Sequence, residues 1–206
     1  MKIYDFEGFP NPARVRIALK EKGLFDDVEF VSINVPGGEH KKPEFLAKNP
    51  SAAVPVLELY DGTCISECSA ITEYLDHLDG APVLTGTSPE KRGRIAMMQR
   101  RAEAGLLDAV GAYFHHATDG LGPDIEGYQN AEWGNQQKKR AVATMGYLDD
   151  VLAGQDYLAG DEFSVADITA FAGLSFADFV GIETPQAHKN LASWRFRMEA
   201  RPSIGG

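Results

Sequence analysis

The residues with the most chemical content lie in one stretch, running from Ala53-Val54-Pro55-Val56-Leu57 to Ile65-Ser66-Glu67-Cys68-Ser69-Ala70-Ile71. Proline cannot donate to a strand ladder, so Pro55 is unwelcome inside a run as apolar as Val54 to Leu59. At the head of that run it holds Val54 extended and leaves the Val54 backbone free to pair with a peptide-like ligand. The other end offers an anion site. Ile71, Tyr74, Leu75 and Leu78 fall at i, i+3, i+4 and i+7, which predicts a helix whose first turn holds Glu67, Cys68 and Ser69. Unpaired N–H groups and the helix dipole at such a tip favour a carboxylate. A small peptide carrying carboxylates fits both ends.

The elements that position these groups read as follows. Asp61-Gly62, between Leu57-Glu58-Leu59-Tyr60 and Thr63-Cys64-Ile65-Ser66, predicts a hairpin. Upstream, Lys2 to Phe6 reads as a strand and Pro12 to Lys22 as a helix. Asn11 serves as its cap, Pro12 as its first residue and Gly23 as its stop. Val28 to Val35 reads as a second strand. The order β-α-β, then β-β-α, predicts a four-stranded mixed sheet with helices on both faces. Gly80 to Ser88 is a turn-rich linker, and beyond it every element reads as helical. Ser88-Pro89 opens a long helix with Ile95, Met98, Ala102, Leu106, Val110 and Phe114 along one stripe. Residues 118–130, with three glycines and Pro123, form a loop whose length points to a functional or mobile segment. Trp133 to Leu152 is a helix with Ala141, Met145, Leu148 and Leu152 facing inward. Ser164 and Asp167 form a weaker variant of the capping box, with Phe163 and Ile168 as its hydrophobic staple. The helix they start carries Ile168, Phe171, Leu174, Phe176 and Phe179, and is apolar enough all round to be buried.

Bulk properties exclude several classes of function. The 206 residues carry 20 Lys+Arg against 30 Asp+Glu, a net charge of −10. Residues 1–79 hold 8 basic and 14 acidic residues, and 80–206 hold 12 and 16. Neither half is basic, which argues against nucleic acid or an anionic membrane surface as partner. The start, Met1-Lys2-Ile3-Tyr4-Asp5, does not read as a signal peptide, and no apolar stretch approaches the roughly 18–20 residues of a membrane span. Two cysteines make no secreted disulfide framework, and Cys64 and Cys68 read as reduced thiols. The adjacent His115 and His116 point to different sides of a helix and supply no metal site. The expectation is a soluble cytoplasmic protein.

Asn49-Pro50-Ser51-Ala52-Ala53-Val54-Pro55-Val56-Leu57, Asp61-Gly62 and Glu67-Cys68-Ser69-Ala70-Ile71 together resemble the glutathione-binding half of cytosolic glutathione transferases. Glu39-His40-Lys41-Lys42-Pro43-Glu44-Phe45-Leu46 resembles the phi-like and bacterial, nu-like branches of that family. The resemblance implies an α/β thioredoxin-like glutathione-binding domain over 1–79, a linker over 80–88 and an all-α helical-bundle domain over 89–206. It further implies glutathione as co-substrate, a small hydrophobic electrophile as second substrate, a detoxifying role and a homodimer. The ligand contacts carry over residue by residue. Val54, beside Pro55, pairs its backbone with the cysteinyl unit. Glu67 takes the γ-glutamyl ammonium and the Cys68 N–H its carboxylate, although the family usually has Ser at that position. His40 and Lys41 match positions that bind the glycine carboxylate. Ala53 stands where phi-like members often have Gln or Lys, so one contact is missing. Tyr113, Phe114 and His116, on the first long helix of the second domain, line the electrophile pocket, with Phe9 closing its other side.

The chemistry such a site performs is thiolate stabilisation. A free thiol has a pKa of about 8.5 and only the thiolate is nucleophilic. Lowering that value by about two units takes roughly 2.7 kcal/mol. Many family members place a Ser, Tyr or Cys at the tip of the first helix. In this chain no Ser, Thr, Tyr or Cys occurs between Asp5 and Ala13, and Phe9 occupies the usual serine position. Asn11 is the best remaining donor, and some bacterial members carry the same Pro-Asn pair. As a helix cap Asn is equally at home, and Tyr4 is a second candidate hydroxyl that also suits a strand core. Two alternatives stay open: a glutathione-dependent disulfide reductase or peroxidase on the same fold, and a non-catalytic glutathione-binding or protein-interaction scaffold.

Overall fold

A computed structural model describes residues 1–205 of the chain. The backbone separates into two compact units, Met1–Ala81 and the residues from Pro82 onward. The first unit is built on strands β1 (Lys2–Asp5), β2 (Glu29–Ser32), β3 (Val56–Glu58) and β4 (Cys64–Ser66), in the spatial order β2-β1-β3-β4. β2 runs parallel to β1, whereas β1–β3 and β3–β4 are antiparallel, with Tyr4 opposite Val56 and Val56 opposite Ser66. The β3–β4 turn uses Gly62 at φ 87, and the Asp61 carboxylate accepts the Thr63 N–H at 2.9 Å. β2 is shorter than the sequence indicates, because the chain leaves the ladder after Ser32 while Ile33 and Val35 still turn inward.

Three helices belong to this unit: α1 (Pro10–Glu21), the short α2 (Pro43–Leu46) and α3 (Cys68–His77). α1 and α3 pack on one another and on the sheet. Ile3, Val15, Leu19, Leu57, Ile71 and Leu75 are completely buried between them, each side chain contributing about 1.5–3 kcal/mol by its removal from water. Leu78, which the periodicity assigns to this face, lies one residue past α3 and is 45% exposed. α1 ends in a Schellman motif: Gly23 sits at φ 66, its N–H meets the Lys20 carbonyl at 3.1 Å, and the Leu24 N–H meets Leu19 at 2.8 Å. The start of α1 differs from the sequence reading. The helix begins at Pro10, so Phe9 is the capping residue and Asn11 already lies in the first turn.

The second unit is helical throughout: α4 (Pro89–Ala102), α5 (Asp108–Ala117), α6 (Ala131–Leu152), α7 (Val165–Phe179), α8 (Lys189–Glu199) and the short α9 (Pro202–Gly205). α4 passes into α5 through a π-helical turn, Glu103–Leu107. Glycines permit the close packing around it. A Cβ on Gly105 would lie 2.6 Å from Thr144 of α6, and one on Gly173 of α7 would lie 2.8 Å from Leu106. Ile95, Met98, Ala102, Leu106 and Val110 form the expected inward stripe, and Ala141, Met145, Leu148 and Leu152 face them from α6.

Ser164 caps α7 in a complete capping box. Its hydroxyl accepts the Ala166 N–H at 3.3 Å, and the Asp167 carboxylate takes the Ser164 N–H and hydroxyl, both at 3.0 Å. Asp167 also accepts from the Leu158 N–H at 2.9 Å and the Trp194 indole at 3.0 Å. Burial pushes this carboxyl up while four donors pull against it. α7 is buried along most of its length, with Ser175, Asp178 and Phe179 exposed near its C-terminal end, Phe179 to 76%. No helix among the described residues is long and apolar enough to cross a membrane.

Candidate functional site

Strand directions bring several loops to one end of the first unit's sheet. β1 and β4 finish at the end where β3 begins, so the Phe6–Phe9 loop, the Val54-Pro55 segment and Glu67 all emerge there. α1 and α3 start from these loops and aim their N-termini at the same region. Contact between the two tips is direct. The Cys68 thiol reaches the Asn11 backbone carbonyl at 3.4 Å and its side-chain oxygen at 3.7 Å.

The α1 tip is poor in donors, and that gives Asn11 its weight. Phe9 caps the helix with extended backbone and no side-chain hydrogen bond. Pro10 and Pro12 flank Asn11 and have no N–H. The first turn therefore offers the dipole of α1 together with two donors, the backbone N–H and side-chain amide of Asn11, and Asn11 is exposed. Its amide oxygen accepts from Arg14 Nη1 at 3.0 Å.

The Val54 segment is held from behind. Asn49, only 2% exposed, donates from Nδ2 to the Ala53 carbonyl at 2.8 Å and accepts the Ser51 N–H at 3.1 Å. The Val54–Pro55 peptide is cis. Among the described residues no hydrogen-bond partner meets the Val54 N–H or carbonyl.

Glu67 caps α3 in an unusual conformation, φ 69 and ψ 123, costly for a residue with a Cβ. Its carbonyl accepts the Ile71 N–H at 2.9 Å, the first bond of the helix, and its side chain is exposed and makes no cap bond. Backbone strain of about 1–3 kcal/mol at a helix tip facing open space is the kind of cost that a ligand site retains.

Other predicted residues lie apart from this group. His40 and Lys41 sit in a 3-10 turn, Glu39–Lys41, that follows β2. His40 is buried with Nδ1 lacking a hydrogen bond, and burial, with the Lys41 charge beside it, lowers its pKa. At neutral pH it is an uncharged imidazole, while Lys41 is exposed. The Tyr4 hydroxyl is occupied, donating to Glu58 at 2.9 Å under the ammonium of Lys48, which lies 4.7 Å from the ring. Lys48 also bonds Glu58, and this pairing raises the lysine's pKa. Tyr4 therefore belongs to a sheet-face ion pair. Phe9 packs edge-on against Phe6, with centroids 4.7 Å apart.

In the helical unit the three predicted aromatic residues of α5 diverge. Tyr113 packs on the core beneath Lys138, whose ammonium is 4.9 Å from the ring. Phe114 joins Phe176 and Phe179 of α7, at 5.4 and 6.2 Å between centroids. His116 accepts the Asn130 N–H at 3.2 Å. The sequence weighs His115 only as a metal ligand and rejects it, whereas in the structure its Nδ1 lies 2.7 Å from Glu126. The Glu126 oxygen also accepts the Leu121 N–H at 2.8 Å, and Gln129 donates to the His115 and Thr118 carbonyls, so the 118–130 loop is knitted to the end of α5. Only the helix-versus-loop pattern was available to find that pair, and it carries no sign of which acid the histidine meets.

Cys64 and Cys68 are free thiols, and among the described residues no group of three or more His, Cys, Asp or Glu is arranged for a metal ion. Chemically, the arrangement presents an exposed dipole with two donors, an unpaired strand-like backbone and an exposed acid, all within unit one.

Comparison with known proteins gives concordant results. Residues 10–78 match the family model described as glutathione S-transferase, N-terminal domain, and residues 108–202 match glutathione S-transferase, C-terminal domain. A curated relative, glutathione S-transferase 2 of Saccharomyces cerevisiae, is 58% identical over 204 residues, covering 99% of this chain and 88% of that protein. A maleylacetoacetate isomerase of Pseudomonas aeruginosa is 30% identical over 192 residues, covering 88% and 84%. Among solved structures, Gtt2 of Saccharomyces cerevisiae superposes with a TM-score of 0.98 at 57% identity, covering 100% of this chain and 99% of that one. A glutathione S-transferase domain-containing protein of Marinobacter aquaeolei gives 0.97 at 62% identity, covering 99% and 100%.

Proposed function

The chain belongs to the glutathione S-transferase family, and from that premise we propose that it transfers glutathione, as its thiolate, to small hydrophobic electrophiles, with Asn11 as the activating residue. The observation that carries this reading is the α1 tip, where two prolines leave Asn11 as the sole source of donors and the Cys68 contact sets it beside the α3 tip.

Glutathione lies extended across these loops. The unpaired Val54 backbone, set by Pro55, pairs with the cysteinyl unit. Glu67 takes the γ-glutamyl ammonium, and the Cys68 N–H at the head of α3 takes the adjacent carboxylate. The weak Cys68 thiol donor is spent on Asn11, so the backbone N–H carries that contact alone. Lys41 supplies the charge for the glycine carboxylate and neutral His40 a directional N–H. The sulfur then meets the positive end of α1 and the Asn11 donors. A dipole contact of about 0.3–1 kcal/mol and a hydrogen bond to a charged group of about 1.5–3 kcal/mol together approach the roughly 2.7 kcal/mol that two pKa units require. The thiol's proton leaves to solvent, and the thiolate then forms the S–C bond either by displacing a leaving group, such as chloride from a chloronitrobenzene, or by adding to a double bond whose carbanion takes a proton from solvent. Proximity supplies most of the remaining acceleration.

Phe114, with the exposed Phe179 beside it, is the aromatic residue best placed for a hydrophobic electrophile within the helical unit. Phe9 serves the same purpose within the first unit, and Tyr113 and His116 act from behind Phe114 on the same helix. The proposal includes a homodimer in the cytoplasm, on family resemblance. Retention on immobilised glutathione followed by turnover with a chloronitrobenzene tests it. Retention with turnover of mixed disulfides or hydroperoxides instead would move the protein to a reductase or peroxidase, and lack of retention would leave a scaffold.

A further inference from the structure

We propose that Arg14 is a positioning residue that, assisted by Cys68, fixes the Asn11 amide in the one orientation that presents a donor to the substrate sulfur. The inference rests on the reading of Asn11 as the thiolate partner. An asparagine amide has an acceptor edge and a donor edge, and a half-turn about its last torsion exchanges them. With the acceptor edge outward, Asn11 would set lone pairs against a thiolate and oppose its formation.

Three observations decide which edge faces out. A guanidinium has N–H donors and no acceptor, so the amide atom 3.0 Å from Arg14 Nη1 is the oxygen. The Cys68 thiol approaches the same oxygen at 3.7 Å and the Asn11 backbone carbonyl at 3.4 Å, a second donor aimed from α3. Arg14 is 3% exposed, so its side chain is buried in the first unit while Asn11, three residues earlier on the same helix, stays exposed. The oxygen is turned inward and the Nδ2–H edge outward. A cationic donor on the oxygen also polarises the amide and strengthens its N–H groups as donors.

The experiment is a double-mutant cycle read by ultraviolet titration of glutathione thiolate bound to the full-length protein: unmodified, Asn11→Ala, Arg14→Met and both together. Arg14→Met is expected to raise the bound thiol pKa by nearly as much as Asn11→Ala, about one unit or tenfold in thiolate at a given pH. In the Asn11→Ala background it is expected to change nothing further. A rise with Asn11→Ala and none with Arg14→Met overturns the positioning role and leaves Asn11 in place. Additive rises also overturn it, because Arg14 would then act through its own charge. No rise with Asn11→Ala removes the reading of Asn11 itself, and the positioning role with it. Should Arg14→Met fail to fold, Arg14→Lys takes its place. Its ammonium also donates and never accepts, so the reading is then taken from the coupling. A rise that vanishes in the Asn11→Ala background, or no rise together with an Asn11→Asp variant whose bound thiol pKa rises at least as far as in Asn11→Ala, supports positioning. A rise that persists in the Asn11→Ala background overturns it.

Discussion

Helix N-termini are treated in opposite ways in the two units. In the helical unit α4, α6 and α7 are closed by side chains: Ser88 accepts the Lys91 N–H at 3.2 Å, Asn130 the Trp133 N–H at 2.9 Å, and Ser164 shares a full capping box with Asp167. Even α8, which has no cap of its own, borrows Asp149 of α6, whose carboxylate accepts the Leu191 N–H at 2.8 Å. In the first unit neither α1 nor α3 has a side-chain cap, one beginning with two prolines around Asn11 and the other with a strained Glu67. An unpaired N–H at a helix tip costs stability unless something else meets it. The closed tips serve the fold, and the proposed function assigns the uncapped ones to the ligand.

If that contrast is right, removing a closed tip costs stability alone, and altering an open one trades stability for binding. The largest effect is expected at Asp167. Asp167→Ala orphans four buried donors and should lower unfolding free energy by about 3–5 kcal/mol in urea titrations, while glutathione affinity of the remaining folded protein is unchanged. Glu67→Gly should do the reverse: glycine accepts φ 69 freely, so stability rises by about 1 kcal/mol. Glutathione affinity by calorimetry should fall at least about tenfold with the loss of the ammonium partner. Loss of stability together with loss of binding would put Glu67 among the structural caps. Ser164→Ala is smaller, about 1 kcal/mol of stability by thermal melting with no change in binding.

The smallest effect is expected at His40, where burial and then Lys41 hold the folded pKa below its usual 6.5. As pH falls through 6.5 the unfolded chain takes up this proton first, so stability declines until the folded histidine also titrates; above 6.5 the contribution vanishes. A His40→Asn variant should lose that part of the acid-side decline, which unfolding curves between neutral and mildly acidic pH would reveal.

The closed tips were the more legible in the sequence. Ser88-Pro89 and Ser164 with Asp167 announce themselves because a side-chain cap is a local pattern, and the Asp61-Gly62 hairpin and the Gly23 stop are local in the same way. The open tips were harder to place. Asn11 has the residue type of a cap, yet Pro10 with its fixed φ can itself begin a helix, so the helix starts earlier and Asn11 is released from capping. The strain at Glu67 follows from β4 turning directly into α3, which no composition reveals. Arg14 falls among the buried residues of α1 and reads as an intruder there until its guanidinium is seen against the Asn11 oxygen. Leu78 and Phe179 were assigned inward by periodicity, but each stands at the end of its helix, where neighbouring elements no longer cover it.

The central claim is that an open helix tip bearing Asn11 stabilises the glutathione thiolate, and its most direct test is the pKa of bound glutathione in the unmodified protein and in Asn11→Ala. A bound thiol titrating near neutrality, about two units below the free value, and rising by about one unit in the variant, is the predicted result. A bound thiol with the same pKa as free glutathione in both proteins would contradict it.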